Sequence, residues 1–257
     1  MNVLKHMSTA LMSIALFITG CSDGVPDNFS QMTVQEQSLY QANRFRGDRK
    51  NDSQRNPYAI LKFIDIKPGD QVIDLLGGGG FYTELFDYIV GEQGKVYIQN
   101  NSLFLRFSKE ELDKRLANNR LKNTVRIDSE FADMKLPGNV NMIFIGLSYH
   151  DIYVPREDPV ITADPASFKA QMLAALKPGG KLVIIDHAAR PGSGNSDSPK
   201  LHRIGEQWTK QDLESAGFKF VSSLDALRNP QDDYAKDIWK PGILHNTDRF
   251  IHLYEKK

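Results

Sequence analysis

The chain is short of nearly everything that would give a quick assignment. Its 257 residues include one cysteine, so no internal disulfide and no zinc site built on several thiolates can form. Neither sign of charge is in excess: 32 basic side chains stand against 32 acidic ones. That balance excludes a general nucleic-acid binder, which needs a basic surplus to neutralise phosphates. Twelve prolines and nineteen glycines are too few for a low-complexity or collagenous chain. No G-x-G-x-x-G fingerprint and no Walker lysine accompany the glycine cluster at residues 77–80, so hydrolysis by a phosphate-binding loop is excluded. What remains is 40% hydrophobic and 25% charged, ordinary for a globular chain long enough to bury a sizeable core.

The lone cysteine has a telling position. Lys5 precedes an apolar run over residues 10–19 that ends in Ile18-Thr19-Gly20-Cys21. A basic start, a short apolar stretch and small residues before a cut describe a secretory signal, and the run is shorter than the roughly 20 residues that cross a bilayer. The string "ITGC" resembles the lipobox of bacterial lipoproteins. That resemblance implies cleavage before Cys21, lipidation of its thiol and acylation of its new amine. Residues 1–20 are then a signal peptide, 21–31 a lipidated cysteine with a flexible tether, and 32–257 the folded domain. Ser22, where retention at the inner membrane is associated with aspartate, implies a bacterial envelope protein on the outer membrane facing the periplasm. A plain secretory signal with an incidental Cys21 is the other reading.

The next stretch is polar and partly helical in expectation. Arg44, Arg46, Arg49, Lys50 and Arg55 stand there against Asp48 and Asp52. They make either a solvated face or a lid over an anionic ligand. Asn56-Pro57 opens a helix, since proline suits the first turn. Short β-branched runs then alternate with helical segments. Strands are expected over residues 71–76, 95–99, 124–127, 140–148 and 181–186, with helices over 81–90, 108–118 (capped by Ser108) and from Asp164-Pro165 to the Lys177–Gly180 turn. A helix over 209–216, ended by Gly217, leads to two last strands with no full crossover helix between them. The pattern predicts an α/β fold: a Rossmann-like, mostly parallel seven-stranded sheet, helices on both faces, and an antiparallel edge. Ligands of such sheets sit beyond the carboxyl ends of the strands.

The segment "VIDLLGGGGFYTE" places Asp74 and Gly77, Gly78, Gly79 and Gly80 between a strand and a helix. Glycines permit a tight turn and a close approach by a ligand, with a helix N-terminus beneath it. Together with "GKVYIQNN" and "KPGGKLVIID", this order resembles the class I S-adenosylmethionine-dependent methyltransferases. The resemblance implies a methyltransferase using S-adenosylmethionine, held by Asp74, the four glycines, Thr83, Asn100 and Glu130. Two departures from the family pattern stand out. Leu76 occupies the first glycine of D-x-G-x-G-x-G, and the second strand ends in Gln99, Asn100 and Asn101 where the family has a carboxylate for the ribose. An asparagine accepts one hydrogen bond but lacks that charge and bidentate geometry.

Three further strings lie at the same strand ends: "LSYHD" with Tyr149, His150 and Asp151, "IDHAARPGSG" with His187, and "LHRI" with His202 and Arg203. They resemble a smaller group of bacterial predicted methyltransferases with a Tyr-His-Asp motif, although Gly205 replaces that group's acid. Histidine suits removal of an acceptor's proton because it titrates near neutrality. His150, with Tyr149 and Asp151, is the leading candidate for base or substrate orienter, and His187 the next. His202 and Arg203 are expected as acceptor contacts. The acceptor expected is a small molecule or an envelope component, with no nucleic acid among the partners. A binding module that has lost turnover, and a metal-assisted hydrolase or lyase using His150, Asp151, His187 and His202, remain open alternatives.

Overall fold

Alternating β-branched and amphipathic segments build one sheet. A computed structural model describes residues 25–257; the expected signal peptide and Cys21 lie outside the described residues. The strands are β1 Gln71–Leu75, β2 Lys95–Asn100, β3 Thr124–Asp128, β4 Val140–Gly146, β5 Leu176–His187, β6 Phe218–Ser223 and β7 Arg249–Lys256. Their order is β3-β2-β1-β4-β5-β7-β6. β1 to β5 run parallel, whereas β7 is antiparallel to both β5 and β6. The antiparallel edge is therefore a strand inserted between β5 and the outermost strand.

Side chains alternate across the pleat and divide the core into two layers. Val72, Phe144, Val183 and Ile185 pack on one face with Ile60, Leu61, Ile64 and Phe86. Ile73, Ile143, Ile145, Leu182 and Ile184 pack on the other with Phe168, Met172 and Leu213. The helices are α1 Val34–Tyr40, α2 Asp52–Arg55, α3 Pro57–Ile64, α4 Phe81–Val90, α5 Ser102–Leu116, α6 Pro165–Ala175, α7 Ser198–Leu201 and α8 Glu206–Ser215. Asp164 caps α6 as expected, its carboxylate accepting from the Ala166 amide.

Local chemistry moves some expected boundaries. α5 begins at Ser102, not Ser108, because β2 runs one residue further and Asn101 caps the helix by accepting from the Phe104 amide at 3.0 Å. The Ser108 hydroxyl instead donates to the Phe104 carbonyl one turn back. The Lys177–Gly180 turn lies inside β5: Leu176 pairs with Val140 and Lys181 with Met142, so these residues bulge opposite Asn141. α8 starts three residues early, at Glu206.

Candidate active site

The glycine turn follows β1 and leads into α4. Leu76, 2% exposed, takes φ +56° there, the left-handed region that favours the glycine it replaces. Three of the four glycines are required by neighbouring protein groups. A side chain at Gly77 would meet the Asp74 carboxylate, one at Gly79 the Glu111 carboxylate and one at Gly80 the Arg115 stem. Gly78 alone presents an open face, at φ +58°. α5 thus lays Ser108, Glu111 and Arg115, three or four residues apart on one helical face, along the turn.

Beneath it, the fully buried Arg115 is a charge hub. Its Nη atoms reach both Asp48 oxygens at 2.8 and 3.0 Å, together with Glu84 and Glu111, and its Nε donates to the Gly79 carbonyl at 2.5 Å. Arg120 closes the set on Glu84 at 2.6 and 2.7 Å. Asp74 has no ion pair among the described residues, Arg55 and Arg115 acting on it only at a distance. Burial pushes its pKa up to about 6 against the bond it accepts from the Thr83 hydroxyl, 2.5 Å away.

Asn100 grips the turn from β2. Its Oδ1 accepts from the Gly78 amide at 2.8 Å and its Nδ2 donates to the Gly78 carbonyl at 3.0 Å. Glu130 accepts from the Ser102 amide through one oxygen; its other oxygen, Asn101 Nδ2 and Gln99 Oε1 are buried without a partner. These orphaned polar atoms stand at the ends of β2 and β3. Gly77, Gly78 and Gly79 line a cavity of about 310 Å³. Asp74, Gly80, Thr83, Asn100 and Glu130 do not line it; of these, Asn100 bonds to the turn from behind.

At the ends of β4 and β5 the histidines meet around Asp186, the residue before His187. Its carboxylate accepts from the amides of His150 and His187 and lies 2.7 Å from His150 Nδ1. His150 Nε2 is buried without a hydrogen bond, 3.6 Å from Asp151. Burial would lower the His150 pKa, but Asp186 and then Asp151 outweigh it and carry it to about 9. At neutral pH His150 therefore already holds the proton that a base would accept, which corrects the expectation of a general base.

The other two rings lie 6.1 Å (His187) and 5.7 Å (His202) from His150, centre to centre. Burial and the His150 charge hold both below the usual histidine range, His187 well below it. His187 Nδ1 lies 2.7 Å from the Thr247 hydroxyl, and the residue lines the glycine cavity. His202 takes φ +53° at the end of α7 and lines a second, larger cavity.

Two further expectations are overturned. Tyr149 and His150 open a 3₁₀ turn, in which successive side chains point about 120° apart. Tyr149 consequently enters the core, fully buried, with its hydroxyl donating to Asp212 at 2.5 Å, and is no part of the cleft. Arg203 is also fully buried: it holds Asp232 at 2.7 and 3.1 Å and donates to the carbonyls of Ala188 and Lys236. It is a clamp on the loop before β7, not an acceptor contact. Among the described residues no group of three or more His, Cys, Asp or Glu is placed to hold a metal ion.

The second cavity, about 540 Å³, is walled by Leu103, Phe104, Phe107, Leu147 and Trp239, with Asp151, Arg156 and His202 at its polar side. Phe107 is 85% and Trp239 63% exposed. Phe104, Leu147 and Trp239 belong to both cavities, so the two share a wall.

No protein-family model matches the chain. It is 27% identical over 173 residues to a ubiquinone/menaquinone biosynthesis C-methyltransferase, UbiE, of Ectopseudomonas mendocina, covering 65% of this chain and 59% of the relative. The UbiE of Shewanella piezotolerans is 34% identical over 128 residues, 49% of this chain and 46% of the relative. The chain thus spans about half the length of the curated relatives it matches. Among solved structures, an S-adenosylmethionine-dependent methyltransferase from Aquifex aeolicus superposes with a TM-score of 0.58 at 23% identity, covering 80% of this chain and 93% of that one. The architecture built around the glycine turn and the histidine rim is the Rossmann-like fold of S-adenosylmethionine-dependent methyltransferases.

Proposed function

We propose that the protein is an S-adenosylmethionine-dependent methyltransferase with a small-molecule acceptor. One observation carries this reading: a cavity on the glycine turn and an apolar cavity beside His202 share a wall at the carboxyl ends of the parallel strands. In the first, Gly78 offers the open face for close approach, and Asn100 and the Asp74–Thr83 pair hold the turn in shape. The cofactor, when bound, supplies a methyl group on a sulfonium. His202, uncharged at neutral pH, is the group placed to accept a proton from an acceptor in the second cavity, while the Asp186-held His150 fixes a positive charge behind it. The curated relatives are named for methylation in ubiquinone and menaquinone biosynthesis, and an acceptor with an apolar body suits the walls of the second cavity.

The lipobox-like Cys21 adds a second element to the proposal, a lipid anchor in the bacterial envelope. Incorporation of labelled fatty acid that disappears in Cys21→Ala tests it, and unchanged labelling overturns it. Calorimetry with S-adenosylmethionine tests the first element. Saturable binding supports it, and no heat at millimolar cofactor overturns it. Asn100, whose amide is occupied by Gly78, favours a ligand-binding module without turnover as the second reading. Methyl transfer from labelled cofactor, lost in His202→Ala, would eliminate that module.

A further inference from the structure

The basic stretch before α3 offered two readings, a solvated face or a lid over an anion. The structure separates its members. Arg44 is tied to Asp52 by two bonds of 2.7 Å. Arg55 has no ion-pair partner among the described residues; its guanidinium lies 4.6 Å from the Phe81 ring centre and faces the glycine cavity. From the other end of the chain, Arg249 on β7 lines the same cavity. It is 6% exposed, and its Nε is buried with no hydrogen bond. Burial depresses its pKa, and Arg55 adds to the effect.

Neither guanidinium forms an ion pair among the described residues; Asp74 near Arg55 and Asp248 near Arg249 act on them only at a distance. His245 and His187 are both held below the usual histidine range, and each is affected by Arg249. Glu111 is the one carboxylate in the lining, and Arg115 engages it at 2.9 Å. Asp248, next in sequence to Arg249, accepts from the Asn229 amide and the Tyr234 hydroxyl. A buried guanidinium without a carboxylate is costly to the fold, and planar, bidentate recognition of a carboxylate is what guanidinium does best.

We propose that Arg55 and Arg249 together form a carboxylate site in the glycine cavity, and that it takes the α-carboxylate of the cofactor's methionyl moiety. This rests on the methyltransferase reading above. The amino-acid end of that ligand carries an ammonium as well, and Glu111 in the same lining offers it a counter-charge. The sequence hides the site because its two arginines come from α2 and β7, elements far apart in the chain.

The test is calorimetric and needs no turnover. S-adenosylhomocysteine carries the amino-acid group, whereas methylthioadenosine keeps the nucleoside and lacks it. The full protein should prefer the former by about tenfold or more. Arg249→Met and Arg55→Met should each erase that preference while leaving methylthioadenosine affinity unchanged. Retention of the preference in both variants overturns the carboxylate site and leaves the methyltransferase reading standing. Failure of either nucleoside to bind the unmodified protein overturns both. A third arm uses acetate: stabilisation of the unmodified protein but not of Arg249→Met, with no preference between the nucleosides, would assign the site to an anionic acceptor and overturn the cofactor assignment.

Discussion

Arg115 beneath the glycine turn and Arg249 in the wall of the glycine cavity are both buried guanidiniums, yet their surroundings are opposites. Arg115 has Asp48, Glu84, Glu111 and a backbone carbonyl. Arg249 has an unpartnered Nε, Arg55 as a like-charged neighbour and Asp248 acting only at a distance. The difference teaches how to read buried charge: a compensated ion is architecture, and an uncompensated one is an open valence that a ligand can satisfy. The same division runs through the acids and the histidines. Asp186 anchors His150, whereas Asp74 is buried with a hydroxyl for its only side-chain partner.

The comparison breaks most sharply at Arg115. Arg115→Met strands the buried Asp48 carboxylate, while Glu84 keeps Arg120, and should cost about 3–5 kcal/mol of stability in a urea titration. Arg249→Met removes an unpaired charge and should leave the midpoint unchanged or higher. Equal losses in the two variants would refute the distinction. The next effect belongs to His150. Its folded pKa of about 9 exceeds the unfolded 6.5, so its contribution is complete below about pH 6.5 and is lost as pH rises through about 9. The contribution is about 3 kcal/mol. His150→Gln should flatten that decline, and a decline of unchanged size would remove the imidazolium from the account.

Asp74 tests the uncompensated side. Its pKa is raised to about 6, so the folded state holds the proton more tightly than the unfolded one, and stability falls as pH rises from about 4 through about 6. Asp74→Asn should be more stable than the parent above that range by about 2–3 kcal/mol. The two should converge below about pH 4. The smallest effect concerns Asn100. Asn100→Asp exchanges a donor to the Gly78 carbonyl for a charge, costing about 1–2 kcal/mol of stability. It should also restore a carboxylate near a ribose and so tighten cofactor binding. Weaker binding in this variant would place the ribose elsewhere.

Much of the frame was legible because strand and helix periods are local. The Asp164-Pro165 start of α6 and all seven strands follow from short-range pattern, within a few residues. The nearness of His150, His187 and His202 was legible because the first two sit beyond neighbouring strand ends and the third follows shortly after. The site was not legible where side-chain direction decided. Tyr149 and His150 are adjacent, but a 3₁₀ turn sends one into the core and the other to Asp186. Arg203 reads like a ligand contact until the loop before β7 brings Asp232 to it. The glycines read as a ligand cradle until α5 lays Glu111 and Arg115 over two of them.

That loop before β7 sets a clock as well as a boundary. It supplies Trp239 to both cavities and Ile238, Leu244 and His245 to the first, yet between Asp232 and Thr247 it contains no helix or strand. Arg203 fastens one end through Asp232, and Asp248, receiving the Asn229 amide, fastens the other. Within the span Arg203 also holds the Lys236 carbonyl and the Ile238 amide donates to the Leu201 carbonyl, so a lift of Trp239 that releases a product with both anchors intact is confined to the residues after Ile238. Such a lift proceeds at the rate of a loop motion, without unfolding any element of the sheet.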